Sequence, residues 1–329
     1  MALMDRLIEN AKKNPRDIVL AEGDDLRAIQ AADMLFKQKA VKKLYLLGDP
    51  DLMRKIAAEN KCDIDAAILV NPAKSEKYEE YSLKYFEHRQ GKTKKDDAFA
   101  EMKDVITFGC MMVRENVIDG MVGGAIHTTA DLIRNAIRIV GPRDGIKTVS
   151  SFFIMILPEP TYGASGVFVY ADCGAVPNPD SFQLADITVS SAENFRKLVG
   201  VEPIAALLSF STKGSAKHPD VDKVVNAVAE LKKRGAAFKF DGEFQFDAAV
   251  IESIGKKKAP GSEIAGKANV LIFPDLDAGN IAYKITERLG KAAALGPLMQ
   301  GLKKPVNDLS RGCSATDVFQ VAIITQNQC

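Results

Sequence analysis

Residues 17–60 read DIVLAEGDDLRAIQAADMLFKQKAVKKLYLLGDPDLMRKIAAEN. The runs Asp17-Ile-Val-Leu20 and Lys43-Leu-Tyr-Leu-Leu47 are short and apolar, as buried strands are, and each ends in a polar segment with a glycine. Helical patterns follow both, over 25–38 and 51–60. Strands alternating with helices build a parallel sheet covered by helices. The expected class is α/β.

The pattern extends along the chain. A charged stretch, 74–97, reads as one or two solvated helices broken at Gln90-Gly91. Residues 119–122 read as a strand, and Gly123-Gly124 leads into a helix over 127–140. Strands are expected at 150–157, 166–171, 205–211, 236–241 and 269–274, with helices at 178–199, 220–234 and 277–289. The basic, glycine- and proline-bearing stretch 255–266 reads as a loop. Strand ends in such a fold carry polar loops, and there open α/β sheets bind ligands.

Composition narrows the function. A chain of 329 residues is long for one core, so two domains are the default. Hydrophobic residues at 47% and charged residues at 26% fit a soluble globular protein. A net charge of +1 leaves no basic excess for nucleic acid. There is no apolar run of about 18 residues to span a bilayer. The first residues, MALMDRLIENAKKNPRD, are amphipathic and include acids, which reads as a first helix and not a signal peptide. A cytoplasmic protein is expected. The five cysteines, Cys62, Cys110, Cys173, Cys313 and Cys329, form no C-x-x-C pair and are expected as reduced thiols. His88, His127 and His218 stand apart with no metal-ligand spacing, so no metal is expected. Gly120-Met-Val-Gly-Gly124 lacks the spacing of a dinucleotide loop, and no phosphate-binding P-loop motif occurs.

Chemistry concentrates in 303–318, KKPVNDLSRGCSATDV, just before a β-rich apolar run, 318–325. Ser310 offers a hydroxyl, Arg311 a fixed planar cation suited to phosphate or carboxylate, and Asp317 a carboxylate. Such a carboxylate can accept a proton beside a bound anion. The plainer reading makes Ser314-Ala-Thr-Asp317 a capping box, with Arg311 a solvated charge. The two coexist, because a capped helix start also attracts anions. Cys313 has no histidine near it in sequence to activate it and reads as a small packed residue.

Several polar blocks occur in a fixed order: Gly120-Met-Val-Gly-Gly-Ala-Ile-His-Thr-Thr-Ala-Asp131, Leu208-Ser-Phe-Ser-Thr-Lys-Gly-Ser-Ala216, Lys258-Ala-Pro-Gly-Ser262, Asn269-Val-Leu-Ile-Phe-Pro-Asp275, Ala278-Gly-Asn-Ile281 and Lys304-Pro-Val-Asn-Asp-Leu-Ser-Arg-Gly312. In this order, over essentially its full length, the sequence resembles the phosphate acetyl/butyryltransferase family, and within it the phosphate acetyltransferases. The resemblance implies reversible acetyl transfer between coenzyme A and inorganic phosphate through a ternary complex, with no cofactor and no metal at the reacting centre. It implies a fold like that of the isocitrate and isopropylmalate dehydrogenases. Two three-layer αβα domains would flank a substrate cleft, the first at 1–145 plus 296–329 and the second at 146–295. A homodimer is implied as well.

Carried onto this chain, the resemblance implies Ser310, Arg311 and Asp317 as catalytic residues. Asp317 would take the thiol proton, Arg311 would neutralise the phosphate, and Ser310 would bond the phosphate or the carbonyl oxygen. Arg89, in His88-Arg-Gln-Gly-Lys92, and Arg134 would join Ser310 and Arg311 in holding coenzyme A and phosphate. Similar sequences have Val-Ser-Gly-Ala where this one has Val122-Gly-Gly-Ala125, so Gly123 removes a hydroxyl near the expected cleft. Three other readings remain: a phosphate butyryltransferase, a metal-dependent decarboxylating dehydrogenase of the same fold, and a phosphate-binding protein without turnover. The intact Ser310, Arg311 and Asp317 argue against the last.

Overall fold

The computed structural model describes residues 3–329. Its chain forms two compact units, Met1–Arg143 with Leu302–Cys329, and Asp144–Gly301. The first unit holds β1 (Asp17–Leu20), β2 (Lys43–Leu47), β3 (Ile68–Val70) and β4 (Gly120–Gly123), joined by β11 (Val306–Asp308) from the far end of the chain. All five strands are parallel, in the order β11-β4-β1-β2-β3. Its helices are α1 (Leu3–Lys13), α2 (Leu26–Gln38), α3 (Pro50–Glu59), α4 (Tyr78–His88), α5 (Lys95–Glu101), α6 (Val105–Arg114), α7 (Thr129–Asn135) and α13 (Ala315–Gln328).

The chain steps from β1 to β2 to β3 in one direction, then crosses back to β4 and β11. Right-handed crossovers put α2 and α3 on one face of the sheet and α6 and α7 on the other. The packing agrees, since α13 lies on α2 and α1 whereas α6 lies on α7 and α4. The direction reverses between β1 and β4, which is where such sheets bind ligands.

Among the elements that lie outside the sequence-based expectations are three helices. The run 318–325 is not a strand. It is the buried stretch of α13, started by a capping box at Ser314 and Asp317, and its β-branched side chains pack against α2 and α1. Helix α6 has every residue from Ile106 to Val113 buried, so it carries no polar stripe for periodicity to detect. Residues Glu252–Lys258 form a helix, although part of them was expected in the 255–266 loop.

The second unit has a mixed sheet of β5 (Ser150–Ile156), β6 (Val167–Ala171), β7 (Ile204–Leu208), β8 (Lys239–Phe244), β9 (Val270–Ile272) and β10 (Ala293–Gln300), in the order β10-β5-β6-β9-β7-β8. The β10-β5-β6 edge is antiparallel and the remainder parallel. Helices α8 (Ser181–Val199) and α9 (Pro219–Lys233) pack together. Helices α10 (Phe246–Val250), α11 (Glu252–Lys258) and α12 (Leu276–Arg288) cover a core built on Phe153, Phe168, Tyr170, Phe244 and Phe273. Among the described residues no helix is long and apolar enough to cross a membrane.

One glycine is required by geometry where the β4 and β11 loops meet. Gly124 has φ +95°, and a Cβ there would fall on Asp308 Oδ1. Gly124→Ala is expected to lower stability by about 2 kcal/mol, from left-handed strain and overlap together. A urea titration with an unchanged midpoint would contradict this.

Candidate functional site

Loops after β1, β4 and β11 meet at the carboxyl edge of the first sheet. Glu22, just past β1 and 5% exposed, accepts hydrogen bonds from the backbone N–H groups of Ala125 (2.6 Å), Ile126 (2.9 Å) and His127 (2.8 Å). His127 Nδ1 lies 2.8 Å from the same carboxylate, and its Nε2 lies 3.0 Å from Asp104 Oδ2. Asp104 in turn caps α6, accepting from the backbone N–H of Thr107 at 2.9 Å. The Asp104 and Glu22 carboxylates together raise the His127 pKa to about 10, so the ring is an imidazolium at neutral pH. Burial disfavours ionised Glu22, yet the His127 side chain and the three N–H groups bring its pKa below the ordinary value.

Arg27, on the first turn of α2, ties all three loops. Its Nε and Nη2 bind the two oxygens of Asp25 at 2.9 and 2.7 Å, and Nη2 donates to the Ala125 carbonyl at 2.9 Å. Nη1 donates to the carbonyls of Arg311 (2.8 Å) and Cys313 (3.1 Å). The planar fork of a guanidinium can satisfy several fixed acceptors at once.

The segment after β11 is thus held by its backbone at Arg311 and Cys313. Ser310, Arg311 and Gly312 are exposed, and among the described residues the Arg311 guanidinium has no hydrogen-bond or ion-pair partner. Ser310 Oγ accepts from the Gly312 N–H at 3.3 Å and has no base beside it. Asp317, also exposed, is oriented by the capping box: its Oδ2 accepts from Ser314 N–H at 2.8 Å and from Ser314 Oγ at 2.9 Å. Burial raises the Cys313 thiol pKa, which does not suit a nucleophile. Asp308 closes β11 with no exposure, and its Oδ2 accepts from Thr129 Oγ1 at 2.5 Å.

The remaining expected residues lie elsewhere in this unit. Arg134, on α7, pairs with Asp131 at 2.7 Å. Arg89 caps α4 beside His88, which contacts Arg114 at the end of α6 (3.4 Å). That is the end of α6 opposite Asp104 and His127. The Nε of Arg89 is buried and has no hydrogen-bond partner among the described residues. Beside Arg114 a pocket of about 400 Å³ is lined by Arg114, Lys303 and Lys304. At Gly123 a Cβ would meet Ile106, Leu132 and Ala21, so a side chain there would point into apolar packing under α6 and α7. In the second unit Glu243 gathers the Leu208–Ala216 block, accepting from Ser211 Oγ and Gly214 N–H, both at 2.8 Å.

Comparison with known proteins places this geometry. The family model described as phosphate acetyl/butaryl transferase matches residues 2–326. The chain belongs to this family. Members of the family include a phosphate acetyltransferase of Thermoanaerobacterium thermosaccharolyticum that is 49% identical over 329 residues, covering 100% of this chain and 99% of the relative. A phosphotransacetylase structure from Streptococcus pyogenes superposes with a TM-score of 0.94 at 39% identity, over 100% of this chain and 99% of that one. At 8% identity a Salmonella typhimurium protein assigned as a 4-hydroxythreonine-4-phosphate dehydrogenase shares the fold alone, with a TM-score of 0.56 over 94% of this chain and 98% of that one. The α/β class with dehydrogenase-like architecture is thereby shown, and the chain is a transferase of the phosphate acetyltransferase kind.

In this family member the sequence reading missed Glu22, Arg27, Asp104, His127 and Asp308. His127 stood alone in sequence because its two carboxylates come from residues 105 and 23 positions away. The histidine pKa is raised from 6.5 to about 10, so its contribution to stability is full below about pH 6.5 and is lost as pH rises through about 10. Replacing His127 by Gln is expected to remove that pH dependence and to cost about 2 kcal/mol at pH 7, because Glu22 loses its counter-charge. Urea midpoints from pH 6 to pH 10 that stay parallel for the two proteins would refute the assignment.

Proposed function

We propose that the chain transfers an acetyl group between coenzyme A and inorganic phosphate by direct attack within a ternary complex. The observation that carries this reading is a guanidinium, Arg311, exposed and without a partner among the described residues, on a backbone-clamped loop that leads into the helix orienting the Asp317 carboxylate. In the thioester-forming direction Asp317 takes the thiol proton. The sulfur then attacks the acetyl phosphate carbonyl, the carbon–oxygen bond to phosphate breaks, and acetyl-CoA and phosphate result. Arg311 stabilises the charge on the departing phosphate, and Ser310 donates to the phosphate or the carbonyl oxygen. No acyl-enzyme forms, in keeping with the absence of a base at Ser310 and the raised Cys313 pKa. The reaction draws on no metal or further cofactor.

Arg89 and Arg134 hold the phosphates of coenzyme A. Helix α6 has 10 residues, so His88 and Arg89 lie about 15 Å along it from His127, taking 1.5 Å of rise per residue. Coenzyme A carries its phosphates at the opposite end from its thiol, and the planar fork of an arginine suits such an anion. Acetyl is favoured over butyryl because the relatives are phosphate acetyltransferases.

Arg311→Ala is expected to lower kcat by about 10²- to 10³-fold with the fold intact. Asp317→Asn should lower it by about 10²-fold or more. Thiol release from acetyl phosphate or acetyl-CoA measures both. Near wild-type turnover in either variant would remove that residue from the mechanism, trapping of acetylated Ser310 would replace direct attack, and faster turnover of butyryl phosphate would change the substrate.

We also propose a cytoplasmic homodimer. Ile281, Ile285 and Leu289 recur every fourth residue along and just past α12, with exposures of 56%, 52% and 78%. An apolar stripe of this kind on a soluble protein fits a subunit interface. Ile285→Asp is expected to shift the mass measured by light scattering from dimer to monomer, whereas a wild-type monomer would end the proposal.

A further inference from the structure

Asp308 stands out among the groups the proposed mechanism leaves unused. It is fully buried at the end of β11, two residues before Ser310. Its Oδ2 accepts from Thr129 Oγ1 on the first turn of α7, while its Oδ1 has no hydrogen-bond partner among the described residues and lies where a Cβ of Gly124 would fall. A buried carboxyl with one oxygen unsatisfied lowers stability, so its presence here calls for a function.

We propose that Asp308, through its bond to Thr129, is a positioning residue that fixes the Ser310-Arg311 loop against the start of α7. The inference rests on the role proposed above for that loop. The tether joins the segment after β11 to the helix that follows the neighbouring strand β4. Arg27 holds the loop further on, at Arg311 and Cys313, so the two anchors bracket Ser310.

The surroundings favour the protonated acid. Burial raises the Asp308 pKa to about 7 against the opposing pull of the Thr129 hydroxyl and the Leu309 N–H, and Glu22, on the loop after β1, adds like-charge repulsion. The other elements packed around Asp308 bring no cation to it. From α7 comes the Thr129 hydroxyl, from β4 the Gly123 and Gly124 backbone, and α13 presents Thr325 and Gln328 to the adjacent Asn307. His127 is engaged by Glu22 and Asp104, and Arg27 by Asp25 and backbone carbonyls. Because the folded-state pKa lies above the ordinary 3.8, the stability contributed by the neutral acid is lost as pH rises towards about 7. Above that pH the segment buries a charge; the Thr129 bond favours the carboxylate, but the desolvation cost is larger and loosens the loop.

Arg311 supplies a readout that does not depend on activity. Trypsin cuts after an exposed arginine, and the nick after Arg311 reports the order of this loop relative to nicks elsewhere. Thr129→Val is expected to speed that nick by about tenfold and to lower kcat by a similar factor, while KM for coenzyme A stays within about twofold. Asp308→Asn, which retains an acceptor for Thr129, should keep wild-type kcat at pH 6. Wild-type nicking, normalised to another site, should rise between about pH 6 and pH 8, and that of Asp308→Asn should stay flat. Two results overturn the proposal: a Thr129→Val enzyme unchanged in both nicking and kcat, or an Asp308→Asn enzyme that follows the wild-type pH response. An Arg311→Ala enzyme of full activity would instead end the catalytic reading of the loop, and the nicking rates would still judge the tether.

Discussion

One guanidinium, that of Arg27, makes the site's three loops a single object. Arg27 spans the loops after β1, β4 and β11 through Asp25, the Ala125 carbonyl and the carbonyls of Arg311 and Cys313. A charge-assisted fork is suited to this because its donors lie in one rigid plane, so fixing one acceptor orients the others. The clamp acts on the backbone of Arg311. Its side chain is exposed and, among the described residues, unpaired, as the phosphate-binding role proposed for it requires.

The same edge concentrates buried charge. Glu22, His127 and Asp104 form a chain in which the central imidazolium answers two carboxylates, and three backbone N–H groups complete the shell of Glu22. Each member is costly alone and tolerable together, because desolvated charges are stable only when paired and hydrogen-bonded. Asp308 departs from this rule with one oxygen unsatisfied. Local rules are most often broken at functional sites, where geometry is kept at the expense of stability.

The topology explains why these groups meet. Strand order reverses between β1 and β4, so the loops that leave the two strands diverge to opposite faces and open a space at the carboxyl edge. Strand β11 returns from the far end of the chain to pair with β4, which brings the Ser310-Arg311 segment into that space. The packing of α13 on α1 and α2 then holds it there.

Residue order alone determined the α/β class, because β1, β2 and the helices after them carry patterns that need only their own neighbours. It also determined the Ser314–Asp317 capping box and the polar blocks that mark the family. Short strands such as β3 and β11 left no pattern, since three residues cannot display a period. Helix α6 left none because it is buried all round, and the apolar run 318–325 reads as a strand until α1 and α2 cover it. Only the tertiary structure decided that Arg27 and Arg311, 284 positions apart, are bonded, that His127 is charged, and that Asp308 is buried with its proton near neutral pH. The reason is physical. Hydrogen bonds, ion pairs and pKa shifts depend on distance and burial in space, and those are set by which strands pair, not by separation along the chain.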